Sequence, residues 1–139
     1  MKERMVLGIV LLLFAAAGGC AQLREKSDGS QTISAAEARR LIESNANVVV
    51  LDVRTPEEWK SSSGHLPNSL LIPIQDLESR LSDLEPFRGK TIITYCRSGN
   101  RSGRAAKILS EKGFKALNME GGILKWNAEQ FPVVKEVMQ

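Results

Sequence analysis

An α/β fold, with a mainly parallel central sheet flanked by helices on both faces, is what this sequence predicts. Three observations carry that expectation. Val48 to Val53 is an apolar run interrupted only by Asp52, as in a strand buried on both faces of a parallel sheet. Strand-like runs alternate with segments of helical spacing along the rest of the chain. Polar residues able to do chemistry, Asp52 and Cys96, fall at the ends of such runs, where sites in open α/β sheets lie.

The elements follow in order. Ser34-Ala35-Ala36-Glu37 is a capping box that starts a helix to about Glu43, with Ala38, Leu41 and Ile42 on one face. The strand Val48 to Val53 comes next. Thr55-Pro56-Glu57-Glu58 is a second capping box with proline at the first helical position, and its short helix gives way at Ser61-Ser62-Ser63-Gly64. Ser69 to Ile74 reads as a strand with Pro73 near its end. Asp76 to Leu84 places Leu77, Leu81 and Leu84 at helical spacing. Thr91 to Tyr95 is a buried strand. Ser102 to Lys112 is a helix burying Ala105, Ala106, Ile108 and Leu109, with Gly113 as its stop. Lys115 to Met119 is a short strand, Gly121-Gly122 a turn, and Ile123 to Gln130 a last helix ended by Pro132.

Of the 139 residues, the first thirty read differently. A basic start, an apolar stretch from Met5 to Ala17 and a small-residue exit mark residues 1–19 as an export signal, too short to span a membrane. Ala17-Gly18-Gly19-Cys20 resembles a bacterial lipobox, with Ala17 where leucine is usual, so Cys20 is the expected lipidation site. Cleavage after Ala17 and an uncleaved anchor are the rival readings. Residues 20–30 are a polar, flexible tether, and 31–139 are long enough for one domain with its own core. The expected location is outside the cytoplasmic membrane, periplasmic and lipid-anchored; Ala21 after the cysteine resembles the outer-membrane pattern in a two-membrane organism.

Removing the signal takes Lys2, Arg4 and Glu3 with it and lowers the net charge from +3 to +2. With no long basic run and no stacking aromatics, the sequence does not point to nucleic acid. One histidine and one cysteine in the domain make no zinc site, so neither metal nor cofactor is expected.

Cys96-Arg97-Ser98-Gly99-Asn100-Arg101 carries the chemistry. With Cys20 lipidated, Cys96 has no partner for a disulfide in an oxidising compartment. It stands at a strand-to-helix turn, between apolar strand and helix N-terminus, with two arginines beside it. Backbone N–H groups, the helix N-terminus and the guanidinium charges all favour a thiolate there. The same loop can hold an anion, which suggests covalent catalysis on an anionic substrate. Gly99 lets the turn close.

Four segments together resemble the rhodanese family of single-domain sulfurtransferases: Leu51-Asp52-Val53-Arg54-Thr55-Pro56-Glu57-Glu58-Trp59, Gly64-His65-Leu66-Pro67, Tyr95 to Ser102, and Gly121-Gly122-Ile123-Leu124-Lys125-Trp126. The resemblance implies a rhodanese-like fold, a persulfide on Cys96 and a small anionic sulfur donor such as thiosulfate, with a thiophilic acceptor such as cyanide or a thiol. It implies that amides from Arg97 to Arg101 stabilise the persulfide and that Arg97 attracts the donor. Arg101 either shares that task or points inward to brace the loop. The chain departs from the family at the four-residue link between Trp59 and Gly64, at Asn68-Ser69 where Gly-Ala is common, and at Gln130 where a glycine is common.

Loop length separates two chemistries. Four residues lie between Cys96 and Arg101, one fewer than in cysteine phosphatases, so the smaller cradle suits sulfur over phosphate or arsenate. Asp52 and Arg54 read as supports of the site, His65 as a turn residue, Trp59 and Trp126 as packing residues, and Arg104 and Lys107 as a solvated face. Beside the sulfurtransferase stand two other function classes: a rhodanese-like binding or sulfur-carrier module without fast turnover, and a redox protein whose Cys96 oxidises reversibly.

Overall fold

The computed structural model describes residues 31–44 and 47–136. The expected signal 1–19, the tether 20–30 and Cys20 lie outside the described residues. Five strands form one sheet: β1 (Gln31–Ile33), β2 (Val48–Asp52), β3 (Leu70–Leu71), β4 (Thr91–Tyr95) and β5 (Lys115–Met119), in the order β1-β5-β4-β2-β3. Every neighbouring pair is parallel, and Asp52 lies opposite Tyr95. That register sets Asp52 level with the last residue before Cys96, at the carboxyl edge of the two central strands.

Helices α1 (Ala35–Ser44), α2 (Pro56–Trp59), α3 (Asn100–Glu111) and α4 (Gly122–Ala128) complete the fold. On one face Ala35 and Ala38 of α1 and Ile123 and Trp126 of α4 pack over Val50, Ile93, Tyr95 and Met119. On the other, Ala105, Ala106 and Leu109 of α3, with Leu77 and Leu84, pack over Leu51, Ile92 and Ala116. The sheet is therefore covered on both sides, which is why its central strands carry no solvent face. Both capping boxes form: Ser34 with Glu37, and Thr55 with Glu58.

The structure differs from the sequence reading in three elements. The third strand is only Leu70–Leu71, not Ser69 to Ile74, because it is an edge strand and Pro73 has no amide to pair. The expected helix from Asp76 to Leu84 is instead two 3₁₀ segments, Ile74–Asp76 and Glu78–Phe87, with non-helical angles at Arg80 and Pro86 inside the second. A period of three places Leu81, Leu84 and Phe87 on one side, and all three pack against the core. Strand β1 was not expected: it is a three-residue edge strand of mostly exposed residues, held by its pairing to β5 and by Ile33 against the core.

Two departures from the rhodanese pattern now have a geometry. Asn68 and Gln130 are the non-glycine residues with positive φ among the described residues, at 56° and 57°. Both stand where the family commonly has glycine, the residue that adopts this left-handed backbone without strain. His65 forms an antiparallel bridge with Val134, accepts Trp59 as a stacked ring 3.6 Å away, and sets its Nδ1 3.0 Å from Leu66 O. It serves the turn, as expected.

Candidate active site

Strand β4 delivers Cys96 to the loop, and the loop closes on its sulfur. The Gly99 N–H points at Sγ at 3.0 Å and the Ser102 hydroxyl lies 3.4 Å away. Cys96 itself is 1% exposed. Burial pushes its thiol up, but the Ser102 hydroxyl and the amides of Ser102, Gly99 and Ser98 outweigh burial and hold it below the ordinary thiol value. Hydrogen-bond donors are thus what favours the thiolate here. Gly99 adopts φ 106° and stands immediately before α3, which begins at Asn100, two residues earlier than its apolar spacing suggested. An L side chain there would be strained, and its Cβ would come within 3.2 Å of the Gly121 amide.

The loop is fastened from behind by the Gly121-Gly122 turn. Ile123 N–H donates to Cys96 O at 2.9 Å and Leu124 N–H to Arg97 O at 3.2 Å, so the first turn of α4 is joined to the loop's own carbonyls. Gly122 has φ 55°, and a Cβ there would run into the carbonyls of Cys96 and Arg97.

The two arginines of the loop part company. Arg97 is exposed, lacks an ion-pair partner among the described residues, and lines a cavity of about 300 Å³. That cavity is shared with Arg54, Glu58, Ser63 and Leu124. Arg101 instead turns to Glu58 of α2: its Nη1 and Nη2 each donate to one carboxylate oxygen at 2.7 Å. Of the two roles left open for Arg101, the geometry has the brace. Hydrogen bonding to Arg101 is the chief cause that holds the Glu58 carboxyl down at about 2. Ser98 and Asn100 are exposed on the loop's outer side.

Beneath the loop lies a fully buried ion pair. Asp52 is 0% exposed and Arg54 1%. Arg54 uses all five of its guanidinium hydrogens: Nε and Nη2 on Asp52 at 2.9 and 2.6 Å, Nη2 on Gly64 O, and Nη1 on Glu58 O and Ser63 Oγ. Burial pulls Arg54 down, yet its bonds to Asp52 more than offset this and raise it. The pair ties the end of β2 to α2 and to the Ser61-Ser62-Ser63 link, and so holds Glu58 where Arg101 needs it.

Three residues of the site escaped the sequence reading. Glu58 was read only as a capping residue, and its second partner lies 43 positions away. Ser102 was read as the start of a helix. Asn118 of β5 was not singled out at all, and no local pattern marks it.

Residues 34–129 match the rhodanese-like domain. The chain belongs to the rhodanese-like family. It is similar to YtwF of Bacillus subtilis, 35% identical over 100 residues, covering 72% of this chain and 93% of that protein. It is similar to the thiosulfate sulfurtransferase PspE of Escherichia coli, 33% identical over 73 residues, covering 52% of this chain and 68% of that one. Among solved structures, a rhodanese-related protein from Thermoplasma volcanium matches with a TM-score of 0.68 and 39% identity, over 76% of this chain and 99% of its own. The rhodanese-like loop here therefore divides its labour: donors on Sγ, a free cation at the rim and a braced cation at the helix.

Substitutions should separate the two cations. Arg97→Ala is expected to raise the KM for an anionic donor about tenfold while leaving the unfolding midpoint unchanged. Arg101→Ala and Glu58→Gln are expected to lower kcat and stability together, because each frees the other's charge. The depressed Glu58 carboxyl contributes stability that is present above the unfolded carboxylate value and lost as pH falls toward about 2. Glu58→Gln should flatten that acid limb of the stability profile. Steady-state kinetics and urea unfolding between pH 2 and 7 measure both.

Proposed function

We propose that this rhodanese-like protein is a sulfurtransferase that moves sulfane sulfur from an anionic donor such as thiosulfate to a thiophilic acceptor through a Cys96 persulfide. The observation that carries it is the pair of donors on Sγ, the Gly99 N–H and the Ser102 hydroxyl, next to an uncommitted Arg97. In the first half-reaction the Cys96 thiolate attacks the outer sulfur of thiosulfate. A new S–S bond forms, the donor's S–S bond breaks, and sulfite leaves with that electron pair. In the second, an acceptor such as cyanide or a thiolate attacks the outer sulfur of Cys96–S–S⁻, and the thiolate returns. Loop N–H groups stabilise the anionic sulfur in both states, as an oxyanion hole does. The name of the similar PspE, a thiosulfate sulfurtransferase, supports thiosulfate as the donor class.

The test is intact mass after incubation with thiosulfate. A gain of about 32 Da that cyanide removes is the expected result. Oxidation to a sulfenic acid or a mixed disulfide, with no sulfur gained, would favour the redox reading instead.

We also propose that the domain works outside the cytoplasmic membrane, held by lipid on Cys20 after removal of residues 1–19. More than one acyl chain there would anchor it stably. Metabolic labelling with a fatty acid is expected to mark the protein and to be lost in Cys20→Ser, which should move to the soluble fraction. Labelling that persists in Cys20→Ser, or none in the parent, would overturn the anchor.

A further inference from the structure

The two groups that reach Sγ need holding themselves. Gly99 precedes α3 with no side-chain cap of its own, and a serine hydroxyl rotates freely unless something engages it. One side chain engages both. The Asn118 Nδ2 donates to Gly99 O at 3.3 Å, and Asn118 Oδ1 accepts the Ser102 hydroxyl at 2.7 Å. Asn118 is 8% exposed on β5, paired in register with Thr94 of β4. The contacts close a ring: Sγ to Gly99 N, Gly99 O to Asn118, Asn118 to Ser102, and Ser102 back to Sγ. Thr94 Oγ1 adds a bond to Ser102 O at 2.9 Å from the neighbouring strand.

The amide's orientation follows from chemistry. Gly99 O can only accept, so the NH₂ faces it and the carbonyl faces Ser102. The single Ser102 proton then has three acceptors in reach, Asn118 Oδ1 at 2.7 Å, the Gly99 carbonyl at 3.2 Å and Cys96 Sγ at 3.4 Å. While the sulfur is a neutral thiol or carries a transferred sulfur, the 2.7 Å bond to Asn118 is the better one. When the bare thiolate is exposed, the charge-assisted bond to sulfur draws the proton over.

We propose that Asn118 is a positioning residue for sulfur transfer: its amide sets the Gly99 N–H and the Ser102 O–H on Sγ together, and stores the hydroxyl proton when the sulfur does not need it. This rests on Cys96 as the nucleophile, and on no particular donor.

The test uses the full chain and two readouts. Alkylation of Cys96 by iodoacetamide across pH, followed on its own peptide by mass spectrometry, reports the thiol's titration without any sulfur donor. Thiosulfate kinetics report kcat and KM. Asn118→Leu is expected to raise the thiol titration midpoint by about one unit and to lower kcat between 10- and 100-fold, with KM within twofold because Arg97 is untouched. Ser102→Ala should do much the same. The double variant should be little worse than either single one, since both cut the same ring. Asn118→Ala, uncharged and smaller, should also raise the midpoint, and it decides the matter if the leucine variant does not fold. A folded Asn118 variant with an unchanged midpoint would overturn the proposal, as would effects that add to those of Ser102→Ala. A parent protein that alkylates as expected but takes no sulfur from thiosulfate would count against that donor and leave the ring standing.

Discussion

Arg54→Met is expected to destabilise the domain by about 3–5 kcal/mol, a large fraction of the roughly 5–15 kcal/mol that holds a typical domain folded. The guanidinium is 1% exposed and its partner carboxylate 0%. Removing it leaves Asp52 buried, still bonded to the Arg54 main-chain N–H at 2.9 Å but with no countercharge. Glu58 O, Ser63 Oγ and Gly64 O lose a donor in the same step. The damage should reach the loop, because Glu58 is what Arg101 holds. Replacing both charges, as Asp52→Leu with Arg54→Met, should cost less than Arg54→Met alone, since no lone charge stays buried. Urea unfolding of the single and double variants measures this. A single variant within about 1 kcal/mol of the parent would mean that the pair is not what holds the underside of the site.

How far the site could be read from the chain depended on how local each signal was. The loop from Cys96 to Arg101, both capping boxes and the Gly121-Gly122 turn are contiguous patterns, and each forms where its residues stand. Asp52 and Cys96 were legible together because parallel sheets gather strand ends on one edge, and the register puts Asp52 beside Tyr95. Glu58 illustrates the limit. Its bond to Thr55 is local and was read; its bond to Arg101 depends on how α2 and α3 meet, which no window of sequence contains. Asn118 lies in the strand Lys115–Met119, where a polar residue within an apolar run gives no hint of whose carbonyl it will face. Periodicity misled over Leu77, Leu81 and Leu84, because spacings of four and three fit an α-helix until Phe87 and Pro86 are counted in. The electrostatic expectation also shifted. Backbone N–H groups, the helix N-terminus and guanidinium charge were all expected to favour the thiolate; the groups touching Sγ are an amide and a hydroxyl, and one of the two arginines is spent on Glu58.

Cys96→Ser carries the largest expected effect on activity and a small one on stability. Sulfur transfer from thiosulfate should fall at least about a thousandfold, because no other group in the site can form the covalent intermediate. A serine hydroxyl at this position would meet the same two donors, but donors that lower a thiol's pKa cannot bring an alcohol near ionisation at neutral pH. The fold should hardly notice the change. Serine is close in size, and its oxygen can accept the Gly99 N–H that Sγ accepts now. Urea unfolding should therefore stay within about 1 kcal/mol of the parent. The comparison needs Cys20→Ser as its background, since Cys20 is the chain's other cysteine and any copy without lipid is a second thiol that takes up sulfur on its own. In that background Cys96 is the free cysteine of the domain, and the mass gain with thiosulfate should vanish with it. If turnover instead survives within tenfold, the cysteine is a bystander and the loop serves as an anion-binding module. If turnover is lost but the domain also unfolds, the sulfur would be a packing residue of the core cluster to which it belongs. Loss of transfer with retained stability is the outcome expected of the proposed Cys96 persulfide.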